Sequence, residues 1–219
     1  MKKHFLCLLS IVCGMIAVSC NCEHNLEEPY PFKLGWIVCT DGDIISFCDY
    51  AVSDKEAIAI VYNVVQDHSS PISGYAVYLD DKAPAEFCDS IDVAQGTSAD
   101  IYELDGNENT FALYAADVPS PMAQYVFDMW KFGQSAYIPS VAQLKQIYSV
   151  KDYINPRIEA IGGDILPDEP EKCWYWSSTE VEGQEIAKSW LFSMKSGTIQ
   201  ETPKDQKHKC RPVITLYKK

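Results

Sequence analysis

The sequence predicts an α+β fold, an antiparallel sheet with two to three helices, preceded by a β-rich N-terminal part. Three observations carry this. Runs of β-branched and aromatic residues fill the first third and return in the last third of the chain. The middle places apolar residues at helical spacing, and strands and helices never alternate one for one.

Leu34 to Cys39 (L-G-W-I-V-C) is an apolar run that stops at Asp41-Gly42, a two-residue hairpin signal, and Ile44 to Cys48 reads as the return strand. Ala57 to Val65 is dense in β-branched residues. Gly74 to Leu79 follows as a strand after the breaker Ser69-Ser70-Pro71. Residues 80 to 104 read as a loop, and Asp105 to Thr110 as a polar turn. Ser120 as N-cap, with Pro121 in the first turn, opens a helix carrying Met122, Val126, Phe127, Met129 and Trp130, closed by Gly133. A second helix begins near Pro139-Ser140, with Val141, Leu144, Ile147 and Tyr148 on one face. Residues 151 to 163 give a short third helix ended at Gly162-Gly163. After a loop over 162 to 173, strands follow at Cys173 to Thr179, Lys188 to Met194, Thr198 to Gln200 and Arg211 to Tyr217. Pro212 marks the last as an edge or a bulge. No internal repeat or second linker interrupts residues 34–219, which read as one domain.

The front of the chain has a different character. Lys2 and Lys3 precede an apolar run from Phe5 to Val18, shorter than the ~20 residues of a spanning helix, so residues 1–19 read as an export signal. Ala17-Val18-Ser19-Cys20 resembles the bacterial lipobox, departing from it only where Ala17 replaces the usual Leu. The resemblance implies cleavage before Cys20 and acylation of its thiol; multiple acyl chains on one residue anchor a protein without a transmembrane helix. The alternative is an ordinary secretory signal with a chance cysteine. Cys22 is a poorer candidate, because bulky Asn21 precedes it. Residues 20–33 form a tether without periodicity, made acidic by Glu23, Glu27 and Glu28. Asn21 after the cysteine, by resemblance to enteric lipoproteins, implies the outer membrane. The acidic start resembles the surface-export signals of Bacteroidota lipoproteins, although a solvated linker has the same composition.

The chain has 219 residues, 18 basic and 31 acidic, and a formal charge of −13. Removing the leader takes Lys2 and Lys3 but no acid, leaving 200 residues at −15. A body that acidic repels phosphate backbones, so nucleic acid is not an expected partner. Of nine cysteines, six remain beyond Cys20: Cys22, Cys39, Cys48, Cys88, Cys173 and Cys210. No C-x-x-C pair or Cys/His cluster at zinc spacing occurs, so no metal site or cofactor is expected. Disulfides are permitted outside the cytoplasm, and buried free thiols are the alternative. Cys173 and Cys210, each near a terminal strand, are the candidate disulfide pair.

Five segments in order, Asp105-Gly106-x-x-Asn109-Thr110, Tyr137-Ile138-Pro139-Ser140-x-x-x-Leu144, Tyr175-Trp176-Ser177-Ser178-Thr179-Glu180, Ala187 with Phe192 and Gly197, and Arg211-Pro212-Val213, resemble the DUF1566 family. That family is related to the C-terminal domain of the Legionella collagen-like adhesin and grouped with C-type-lectin-like folds. The resemblance covers about half of the mature chain, and Gly35 to Leu79 is similar to the N-terminal part of lipoprotein members. Departures are Ala136-Tyr137-Ile138-Pro139 for the usual Trp-Tyr-Leu-Pro and Gln143 for a frequent Glu, which weakens any essential chemistry for that acid. Read as a strand, the W-S-S-T string places Trp174 and Trp176 on one face and Tyr175 on the other. A buried tryptophan, with Ser177, Ser178 and Thr179 bonding neighbouring backbone and Arg211 pairing a carboxylate such as Glu180 or capping a row of carbonyls, would make this a core corner; the alternative is a ligand-contacting surface.

The expected function is therefore a non-catalytic binding or adhesion module for glycan or protein, on the outer membrane or cell surface. The alternative is a structural or accessory subunit of a surface assembly. Loops on a rigid scaffold are where recognition concentrates. Among them the acidic loop with Asp164, Asp168, Glu169 and Glu171 could offer oxygens to calcium or simply be solvated, and Trp174 or Trp190 could stack on sugar rings. No catalytic residue is expected, since His24, His68 and His208 have no nucleophile motif nearby.

Overall fold

The computed structural model describes residues 31–67, 69–129, 131 and 135–218. The leader and Cys20 lie outside the described residues, as does most of the tether. The fold is α+β, but its strands form two five-stranded sheets rather than one.

The first sheet contains β1 (Ile37–Cys39), β2 (Ile44–Ile45), β3 (Ala57–Val64), β4 (Ile72–Tyr78) and the final strand β10 (Val213–Tyr217), in the order β10-β4-β3-β1-β2, all antiparallel. The hairpin at Asp41-Gly42 forms as expected, with Gly42 at φ 90°. The return strand is shorter than expected. Ser46 accepts from the Asp49 amide and starts a one-turn helix, α1 (Phe47–Tyr50), where a strand was anticipated. At the opposite edge β10 follows Pro212, and its outer side is bridged by Tyr137.

The second sheet has the order β5-β9-β6-β7-β8, from β5 (Lys82–Glu86), β6 (Trp174–Glu180), β7 (Lys188–Ser193), β8 (Ile199–Pro203) and β9 (Lys207–Cys210). It is mixed: β6 runs parallel to β9, contrary to the purely antiparallel expectation.

Three further helices lie between and around the sheets. Gly106–Ala115 forms α2, where the sequence suggested only a polar turn. Pro121–Phe127 forms α3, capped by Ser120 as expected but ending before Gly133. Val141–Ala160 forms α4, one helix of 20 residues where two were anticipated, continuous through Pro156. Its start is a capping box, in which Ser140 Oγ accepts from the Gln143 amide and Gln143 Oε1 accepts from the Ser140 amide.

Leu144, Ile147, Lys151, Ile154 and Ile158 make one buried stripe along α4. That stripe meets Ile37, Ile60, Tyr75 and Val77 of the first sheet and Tyr175 and Phe192 of the second, forming one core. The opposite faces form a second core, with Val38, Val61, Ala76 and Ile214 against Leu113, Met122, Val126, Phe87 and Trp176. Among the described residues no helix is long and apolar enough to cross a membrane.

Candidate functional site

The W-S-S-T strand is a structural hub. As the alternation predicts, Trp176 and Trp174 face the core containing Phe87, while Tyr175 faces the core containing α4. Trp176 is fully buried, donates Nε1–H to the Ala85 carbonyl at 3.1 Å and meets the Phe87 ring edge at 5.5 Å. Ser177 Oγ donates to the Trp190 carbonyl, the Ser178 amide to the Pro139 carbonyl, and Thr179 Oγ1 accepts from the Val141 amide. Thr110 Oγ1 accepts from the Ile138 amide, and Gln143 Nε2 donates to the Tyr137 hydroxyl. These bonds fasten α2 and the start of α4 to β6. Gly106 belongs to the same corner: a Cβ there would lie 2.3 Å from Gln143 Oε1 and 2.7 Å from the Ile138 carbonyl, so no larger residue fits.

Two ion-pair clusters flank this strand, and Arg211 pairs with a carboxylate as expected, although the acid is Asp81. Arg211 does not meet Glu180. It is fully buried and pairs with Asp81 at 3.0 Å, with Lys209 on the same carboxylate at 2.7 Å and the Tyr175 hydroxyl donating to it at 3.1 Å. Burial, with Asp81 beside it, drives the Tyr175 hydroxyl well above its ordinary range. Glu180 instead pairs with Lys204 at 2.5 Å, both side chains almost wholly buried. Glu180 Oε1 also accepts from the Gln95 amide at 2.8 Å, and Lys204 Nζ donates to the Val93 carbonyl at 3.0 Å. This pair pins the loop over 89 to 97 onto the second sheet.

The residues singled out from sequence are not brought together. Asp164, Asp168, Glu169 and Glu171 are exposed. Asp168 pairs with Lys151, whose stem fills the α4 stripe and whose ammonium also reaches the Met194 carbonyl. Asp164 accepts from the Asp81 amide, and Glu169 stands 3.9 Å from Lys172. Among the described residues no three His, Cys, Asp or Glu side chains converge to hold a metal ion. Trp174 and Trp190 are half-buried and lean on different cores.

The candidate Cys173–Cys210 disulfide is not formed; both are free, buried thiols. Cys210 packs with Phe87 and Trp176, where burial pushes its thiol pKa well up, whereas Cys173 Sγ lies 3.4 Å from Ser193 Oγ on the β6–β7 hairpin. The thiols occupy separate environments, so they do not join.

The site that sequence reasoning missed lies between α2 and α3. It is a groove of about 290 Å³ lined by Asn107, Glu108, Thr110 and Phe111 of α2, Phe127 of α3, and Ser135 and Ala136. Phe111 is 62% exposed, and Tyr114 stacks on Phe127 with ring centroids 3.9 Å apart. The inward face of α2 is already complete with Gly106, Asn109, Thr110 and Leu113. Phe111 and Tyr114, three apart, therefore present aromatic surface outward. At the entry of α2, burial raises the Asp105 carboxyl pKa, and the nearby Glu108 and Glu103 charges add to that shift.

No protein-family model matches the chain, and no curated protein matches it. Among solved structures it is similar to the crystal structure of a fimbrial protein from Bacteroides ovatus ATCC 8483, with a TM-score of 0.65 and 14% sequence identity. The likeness covers 83% of this chain and 48% of that one, so this chain spans about half the length of that protein. What the two share is the fold.

Proposed function

We propose that this protein is a lipid-anchored, non-catalytic module of the cell surface that binds a macromolecular partner. The observation that carries the reading is the likeness of most of the chain to a fimbrial protein, a component of a surface appendage. The lipobox-like Ala17-Val18-Ser19-Cys20 supplies the anchor, and the DUF1566-like motifs, with the C-type-lectin-like arrangement they imply, supply a rigid frame for recognition. The polar residues of those motifs support this role, because they bond backbone inside the corner. The fimbrial likeness also favours a second reading, an accessory subunit of a surface assembly. Co-purification with other outer-membrane proteins would favour the assembly reading, and hits on glycan or protein arrays the adhesion reading.

The anchor is tested by Cys20→Ser. The variant protein is expected to leave the membrane fraction, with loss of the acyl mass on the N-terminal peptide. A variant that stays membrane-bound would refute lipidation at Cys20.

A further inference from the structure

We infer that the groove between α2 and α3 seats a cationic side chain, arginine or lysine, presented by a basic segment of a protein partner. The inference rests on the surface-module reading and names the chemistry of its partner.

Three features of the groove point this way. Phe111 and Phe127 offer aromatic walls, and aromatic faces attract guanidinium and ammonium groups. Glu108 lines the same groove one turn before Phe111, and no Lys or Arg among the described residues forms an ion pair with it. Glu103 and Asp105 stand just before α2, in a chain of formal charge −13 that draws cations toward its surface.

A neutral sugar fits the groove less well. Sugar recognition needs several convergent hydrogen-bonding groups, and here Thr110 Oγ1 is already engaged by the Gly106 carbonyl and the Ile138 amide. Asn109 on the same helix bonds Asp105 and is buried. The rest of the lining is aromatic surface, the Glu108 carboxylate and the short polar side chains of Asn107 and Ser135. A space of about 290 Å³ admits a single long side chain rather than a helix or an oligosaccharide. Tyr114, 43% exposed and stacked on Phe127, extends the apolar surface beyond the groove, where a peptide backbone would lie and a free small cation would not reach.

The test is titration of the full chain in detergent with an acetylated Gly-Arg-Gly-Arg-Gly amide, alongside the same peptide with citrulline in place of arginine. The arginine peptide is expected to bind saturably, to weaken about tenfold with Glu108→Gln and again with Phe111→Ala, and to weaken as salt rises. The citrulline peptide is expected not to bind. Both substituted positions are exposed, so the variants should keep the parental melting temperature, which circular dichroism checks. Equal binding of the citrulline peptide, no effect of Glu108→Gln, or no binding of the arginine peptide would each overturn the inference. So would a neutral glycan whose binding Phe111→Ala abolishes, although that result would leave the surface-module reading standing. The Cys20→Ser fractionation fails or succeeds independently of all of these.

Discussion

Glu180→Gln is expected to destabilise the protein by about 3–5 kcal/mol, because it leaves the Lys204 ammonium charged and enclosed without its counter-ion. Lys204 is fully buried, and its other oxygen partner is the Val93 carbonyl. Lys204→Met alone should be similarly damaging, since it strands the Glu180 carboxylate beside the Gln95 amide. The double variant Glu180→Gln, Lys204→Met should recover much of the loss, because removing both charges also removes the cost of burying them. A chemical-denaturation cycle over the four proteins measures this coupling directly. Additive losses would mean that the two groups are solvated and do not act as a pair. The loop over 89 to 97 should be where the single variants first gain protease sensitivity, because Val93 and Gln95 are held by the pair.

Trp176→Ala should destabilise by a comparable amount, about 3–5 kcal/mol. Trp176 is among the largest fully buried side chains, fills space between Phe87 and the His208 ring, and satisfies the Ala85 carbonyl through its indole N–H. Alanine leaves both a cavity and an unpaired carbonyl on β5. Trp176→Phe should recover part of the loss, since it refills most of the volume but not the hydrogen bond. An unchanged melting temperature for Trp176→Ala would place that ring at the surface, where a ligand rather than the core would explain it.

Much of this fold was legible because local signals and packing agree. The Asp41-Gly42 hairpin, the Ser120 cap, the helix start near Pro139-Ser140 and the alternation of Trp174, Tyr175 and Trp176 all lie where the sequence places them. The misses share a cause. α2 begins Gly-Asn-Glu-Asn, a poor helix by intrinsic propensity, and forms because Asn109 and Thr110 bond Asp105, Ser178, Ile138 and the helix itself. β5 and β9 are short and charged, and β5 contains Pro84. Those are the marks of an edge and of a segment whose pairing is decided by distant strands. The pairing of the buried ions was also non-local: Asp81 lies 130 residues from Arg211, and no spacing rule links Glu180 to Lys204.

The groove escaped sequence reading for the same reason. Once α2 is read as a turn, Phe111 and Tyr114 have no face, and the outward aromatic pair becomes visible only when Leu113 is seen to fill the inner one. The acidic loop and the two half-buried tryptophans drew attention as sequence patterns. In the folded chain Asp168 serves Lys151, and Trp174 and Trp190 mainly close the two cores.

Protease treatment of intact cells is the most direct measurement of whether this module works at the surface. The chain should be digested or clipped while a periplasmic control stays whole, and the membrane-bound N-terminal stub should keep its acyl mass. Protection equal to that of the periplasmic control, reversed only when the outer membrane is opened, would contradict the account.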